Sequence, residues 1–208
     1  MQPFTTLTAI AAPLDIAKID TGMIVPGRFQ RLPRRPGHAD YARVFLHDLR
    51  FDENEQPRAE FILNHAAYRE AGILVTGPDF GCGSSREAAA YATLDSGVRA
   101  LIGASFGDVY RGNCMQNGVL TIVLPAPVIS GLMTQLKAAP GAAITVDLAL
   151  QTVTAPDGST HGFDIDATRK ERLLKGLDDV GVTLQHLAQI ETFEKQYRAD
   201  MPWLASIL

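Results

Sequence analysis

The stretch from residue 72 to residue 102 constrains the fold more than any other. Ile73-Leu74-Val75-Thr76 is a short apolar run of strand length and composition. Residues 77–83 form a loop holding Gly77, Gly81 and Gly83, and a helix is expected from about Ser85 to Asp95, ended by Gly97. Val98-Arg99-Ala100-Leu101-Ile102 then reads as the next strand. A strand, loop, helix and second strand in this order point to parallel strands joined by a crossover helix.

The remaining chain extends this unit into a mixed α/β domain. Residues 1–50 read as strand and loop, with a basic, proline-marked stretch carrying Arg28, Arg31, Arg34 and Arg35. That stretch lacks apolar periodicity, so it is expected to be mobile, its arginines ordered only by a substrate or partner. Asn117-Gly118 turns the chain into a strand over 119–124, and a helix over 128–137 is closed by Pro140-Gly141. Residues 144–153 alternate as one strand, and Pro156-Asp157-Gly158 turns it into another over 160–165. Asp166 is the expected N-cap of a helix that Gly176 ends. A last amphipathic helix over 183–198 carries Leu184, Leu187, Ile190 and Phe193. The expectation is one domain over residues 1–208, with a helical C-terminal extension over about 183–208.

Composition excludes several classes. With 46% hydrophobic and 20% charged residues the chain can bury a core and is not disordered. A net charge of −4 argues against nucleic acid, whose phosphates need a basic face. Two cysteines, Cys82 and Cys114, are too few for a disulfide scaffold and fit a reducing cytosol. Residues 1–15 lack the basic start of a signal peptide, and the apolar stretch over 119–133 is broken by Pro125, Pro127, Ser130 and Gly131. A cytoplasmic protein with no membrane partner is expected.

The chemistry concentrates at Ser84-Ser85-Arg86-Glu87, where the glycine loop becomes the helix. Ser84 with Glu87 has the spacing of a capping box. The same place has glycines that admit close approach, free N–H groups at a helix N-terminus, and a guanidinium whose fork matches a carboxylate. Together these describe a carboxylate cradle with a serine beside it, and the Lys-Ser/Thr pair of a phosphate loop is missing. The two cysteines and five histidines show no metal-ligand spacing. Asp178-Asp179 reads as a solvated turn rather than a metal pair, and Arg169, Lys170 and Arg172 as an exposed helix face.

Asp79-Phe80-Gly81-Cys82-Gly83-Ser84-Ser85-Arg86-Glu87 closely resembles the signature of 3-isopropylmalate dehydratase small subunits, in the aconitase superfamily. The resemblance continues through Ile19-Asp20-Thr21, Ile24-Val25-Pro26, Ser105-Phe106-Gly107-Asp108-Val109-Tyr110 with Asn113-Cys114, Arg169-Lys170-Glu171, and the run from Gly176 to Leu184. It implies a swivelling β/β/α domain of the aconitase C-terminal type that docks on a large subunit carrying a [4Fe–4S] cluster, with no cofactor on this chain. It implies that Ser84 is the catalytic base, acting as an alkoxide, and that Ser85 and Arg86 bind a substrate carboxylate. It also implies substrate-binding roles for Asp20 and Thr21, which match a motif at the active-site edge, and for Arg28, in residues 27–37, which align with the substrate-selecting loop. The implied reaction converts 2-isopropylmalate to 3-isopropylmalate in leucine synthesis. Three positions depart from the family's common residues: Ala88 stands for His, Gly22 for Asp and Lys18 for Asn. They keep open a small subunit serving another hydroxy-diacid, of the citraconate, methylmalate or homoaconitate type. A non-catalytic anion-binding module is the reading from a different class.

Overall fold

The computed structural model describes residues 1–35 and 38–204; Pro36 and Gly37 of the basic loop and the last four residues of the expected extension lie outside the described residues. The chain divides into two compact units, Met1–Gly176 and Leu177–Leu208.

In the first unit the expected parallel crossover is present. β1 (Thr6–Leu14), β2 (Ile73–Thr76), β3 (Ala100–Gly103) and β4 (Leu120–Val123) run parallel. β5 (Ala143–Asp147), β6 (Thr152–Thr154) and β7 (Thr160–Gly162) continue the sheet antiparallel, giving the order β4-β3-β2-β1-β5-β6-β7. β1 joins the two halves: Thr6 to Ile10 pair with β5, and Ala11 to Leu14 pair with β2.

The parallel strands are buried on both faces, which is why they read as unbroken apolar runs. Leu74 and Leu101 point into a core shared with α1 (Thr21–Ile24), α2 (His47–Arg50), α3 (Glu87–Asp95) and α4 (Asp108–Gln116). Ile73, Val75, Ala100 and Ile102 point the other way, against α5 (Ala126–Ala138) and Leu173 of α6 (Ala167–Lys175). Ile102 is fully buried, so its truncation to alanine would cost about 2–5 kcal/mol.

Local chemistry sets the element ends. Asp166 caps α6 by accepting the Arg169 N–H at 3.0 Å, and Gly176, at φ +68°, closes it. The strand expected over 144–153 is two strands. Asp147 Oδ1 accepts the Leu150 N–H at 2.8 Å and Gln151 sits at φ +56°, which folds the middle into a turn that alternation alone does not signal. The following strand ends at Gly162 rather than at residue 165. In the second unit the expected single helix is also two, α7 (Asp179–Leu184) and α8 (Leu187–Asp200), parted at Gln185 and His186. Asp178 caps α7 by accepting the Gly181 N–H at 2.7 Å.

Candidate functional site

The loops that leave the carboxyl ends of β1, β2 and β3 meet at one edge of the sheet, the usual place for ligand chemistry in a parallel sheet. The central one, residues 77–86, is held from both sides. On one side it runs beside residues 18–21: the Lys18 N–H donates to Pro78 O at 2.8 Å, Gly81 N–H to Ile19 O at 2.7 Å, and Thr21 N–H to Cys82 O at 3.0 Å. On the other side, Gly107 N–H donates to Phe80 O at 3.0 Å. Ser105 Oγ accepts the Asp79 N–H at 2.9 Å and donates to Asp79 Oδ1 at 2.7 Å.

Two glycines permit this clamp. Gly81 stands at φ +75°, and a Cβ there would fall 2.0 Å from the Tyr110 ring. Gly107 has ordinary backbone angles, but a Cβ on it would lie 2.2 Å from the Gly81 carbonyl oxygen. The loop therefore packs backbone on backbone against the start of α4. The Tyr110 hydroxyl meets Thr93 Oγ1 at 2.7 Å inside the core. Burial pushes the Tyr110 phenol well up and the neighbouring Cys114 thiol to about 12, so both stay neutral structural groups.

Ser84 and Ser85 are exposed on this edge and Arg86 is half-buried. The capping box does not form. α3 starts at Glu87, not near Ser85, with Arg86 as its N-cap and no side chain capping it. The Ser84 backbone is tied elsewhere and the Glu87 carboxylate has another partner. Thr21, only 2% exposed, donates its hydroxyl to Ser84 O at 2.7 Å, holding the serine backbone to the neighbouring loop. Glu87 Oε1 accepts from Asn117 Nδ2 at 3.3 Å instead of reaching back. With capping removed, the Ser84 hydroxyl is left at the surface beside a helix N-terminus.

Asp20 shapes the adjoining turn. Its Oδ1 accepts from the Gly22 N–H at 2.6 Å and the Met23 N–H at 2.8 Å, capping α1. The Arg86 guanidinium lies over Gly22: a Cβ there would come 2.6 Å from Nη1 and 3.0 Å from Asp20 Oδ1. The departure at position 22 thus leaves the space that Arg86 occupies. Among the described residues the Arg86 guanidinium makes no hydrogen bond or ion pair, so its fork remains available.

Arg28 is placed differently. It pairs bidentately with Asp48 and lies 3.3 Å from His47 Nδ1, and among the described residues it makes no hydrogen bond to Ser84, Ser85 or Arg86. Hydrogen bonding to Arg28 holds the Asp48 carboxyl down at about 2. Arg34 stacks 3.6 Å from the centre of the Tyr91 ring and donates to Asn117 Oδ1 at 3.0 Å, and Arg35 pairs with Asp40. The arginines of this loop were expected to wait for a ligand, but these three already have partners within the chain.

The clamp roles of Ser105 and Gly107 and the link made by Asn117 do not follow from the motifs those residues stand in. A signal for the clamp was present: Asp79-Phe80-Gly81 and Ser105-Phe106-Gly107 repeat one polar-Phe-Gly pattern after consecutive strands, and Phe80 and Phe106 form a parallel bridge.

Comparison with known proteins agrees with this fold. Residues 1–127 match the family model of the aconitase C-terminal domain. Residues 131–167 match the LeuD_N model, and residues 179–207 the C-terminal domain of the 3-isopropylmalate dehydratase small subunit. A mixed sheet covered on both faces, with a glycine-serine loop at the carboxyl edge of its parallel strands, is thus a domain of the aconitase C-terminal, swivel type. The crystal structure of a 3-isopropylmalate dehydratase protein from Methanocaldococcus jannaschii shares this fold, with a TM-score of 0.65 at 22% identity over 90% of this chain and 99% of that one. Small subunits of 3-isopropylmalate dehydratase from Parvibaculum lavamentivorans and Dinoroseobacter shibae are 47% and 45% identical, each over 98% of this chain and the whole of that protein. The chain belongs to the family of 3-isopropylmalate dehydratase small subunits.

Proposed function

We propose that this chain is the small subunit of a cytoplasmic, heteromeric hydro-lyase that converts 2-isopropylmalate to 3-isopropylmalate in leucine biosynthesis. The observation that carries the reading is the exposed Ser84-Ser85-Arg86 edge, clamped from two sides, in a chain alike over its whole length to proteins of that name. An edge that leaves its serines open to solvent suits a site completed by a second subunit.

The described residues offer no group of three or more His, Cys, Asp or Glu able to hold a metal, and Cys114 is a buried neutral thiol. They do not fit an iron–sulfur cluster, which the proposal leaves to the large subunit. The chain's own part concerns the proton and the carboxylate. Arg86 and the Ser85 hydroxyl bind one substrate carboxylate, the guanidinium through its two-pronged fork. This sets the adjacent carbon against Ser84 Oγ, which takes its proton as the hydroxyl on the neighbouring carbon leaves as water and the alkene forms, and which returns a proton as water adds back on rehydration. A serine ionises far above neutrality, so an alkoxide needs nearby positive charge, and Arg86 with the α3 N-terminus supplies it. Asp20 and Thr21 act one step back: Asp20 fixes the turn under Arg86, and Thr21 holds the Ser84 backbone. Arg28 orients the selecting loop through Asp48.

A more polar diacid is the weaker reading, because Arg28 and Arg35, which would favour it, are already paired with Asp48 and Asp40. The test is anaerobic co-purification with the large subunit, followed by assays of 2-isopropylmalate, citraconate and homocitrate side by side. A preference for 2-isopropylmalate of at least about tenfold in kcat/KM is expected. Preference for either other substrate, or no turnover of any, overturns the reading.

A further inference from the structure

A separate concavity of about 470 Å³ opens at the far end of α3. Ser84 leads into the start of that helix, whereas Asp95 and Ser96 at its end, with Ala71 and Val98 just before β2 and β3, line this cavity. The helix has nine residues and is about 13 Å long at 1.5 Å per residue. The two places therefore lie at opposite edges of the parallel strands.

The charged lining of the cavity is out of balance. Arg43, Arg50 and Arg69 share it with one carboxylate, Asp95, which already accepts the Tyr41 N–H at 3.0 Å. Among the described residues none of the three arginines has an ion-pair partner. Arg50 is the telling case. It is half-buried, its Nε meets only the neutral Asn64 Oδ1 at 3.4 Å, and its guanidinium stands 5.2 Å from the centre of the Phe51 ring. Burial lowers its pKa with no acid to offset the loss of solvent. A partly buried charge without a counter-charge is costly, and this chain pairs Arg28 and Arg35 elsewhere. The lining also holds apolar side chains, Phe45, Leu63 and Val98 among them, which a wholly polar anion would leave unused.

We infer that this cavity binds a small carboxylate with an apolar body, its carboxylate on Arg50 and Arg69 and its tail against Leu63 and Val98. Binding there does not depend on Ser84, so it stands or falls apart from the reaction proposed above. The experiment follows backbone amides by NMR in the whole isolated chain during titration with 4-methylpentanoate, 2-isopropylmalate and inorganic phosphate. Saturable shifts at Asp95 and Ser96 are expected with at least one carboxylate, with phosphate about tenfold weaker or more. If only 4-methylpentanoate acts, the occupant is a carboxylate other than the substrate; if 2-isopropylmalate acts, the substrate itself can fill the cavity. R50Q and R69Q should each weaken binding about tenfold, the loss of one charge-assisted contact. R69Q removes an exposed side chain and keeps the test valid if R50Q does not fold. No saturable shift at these amides with either carboxylate overturns the inference, as does phosphate binding equally well or affinity unmoved by R69Q.

Discussion

Replacing Thr21 with valine tests whether the clamp positions the serine. The substitution keeps shape and burial but removes the hydroxyl that donates to Ser84 O at 2.7 Å. The backbone tie from Thr21 N–H to Cys82 O stays. Losing one neutral hydrogen bond costs about 0.5–1.5 kcal/mol, and the low end applies because exposed Ser84 can take up water. In a chain of 208 residues, 1 kcal/mol moves Tm by about 2–4 °C. The kinetic effect should be larger, because a shift of about 1 Å in a reacting group can cost about a hundredfold. In the reconstituted heteromer, T21V should therefore lower kcat by about ten- to a hundredfold, with KM changed less and Tm down by no more than about 4 °C. T21S, which restores the hydroxyl, should recover most of the turnover. Wild-type kcat in T21V, or an equal loss in T21S, would refute a positioning role for the hydroxyl.

Three further outcomes follow from the same geometry. Gly107→Ala places a methyl 2.2 Å from Gly81 O with no change of backbone region, so chemical denaturation should show a loss of about 1–3 kcal/mol or more. Asp48, held at about 2 against an ordinary 3.8, has its folded pKa lowered. Its pairing with Arg28 therefore stabilises above about pH 3.8 and is lost as pH falls through about 2; carboxyl NMR should show the low value, and R28Q should return it towards 3.8. Cys114, with its thiol pushed up to about 12, should resist alkylation at pH 8 in the native chain and react on unfolding, as mass spectrometry would show.

The parallel half of the fold was legible because both faces of β2 and β3 are buried, and such strands announce themselves as unbroken apolar runs. The ends of α6 were legible for the same kind of reason, since Asp166 and Gly176 act within a few residues of themselves. What the sequence hid depends on partners distant in the chain. The Ser84 and Glu87 spacing favours a cap, yet Asn117 engages the Glu87 carboxylate and Thr21 ties the Ser84 carbonyl to the neighbouring loop. The basic loop looked unsatisfied because Asp48 and Asn117 lie 20 and 83 residues from the arginines they hold. The breaks at Gln151 and at Gln185 with His186 come from turns without glycine or proline, which leave little local signal.

The central claim is that Ser84 is a base and not a cap, and Ser84→Ala in the heteromer, read by kcat, KM and Tm together, tests it most directly. Because the structure gives the Ser84 side chain no capping bond, Tm should be unchanged within about 2 °C. Turnover should fall by about a thousandfold or more with KM little altered, as expected when an interaction made in the transition state is removed. Turnover within about tenfold of wild type, or a loss that tracks a fall in Tm, would contradict the account.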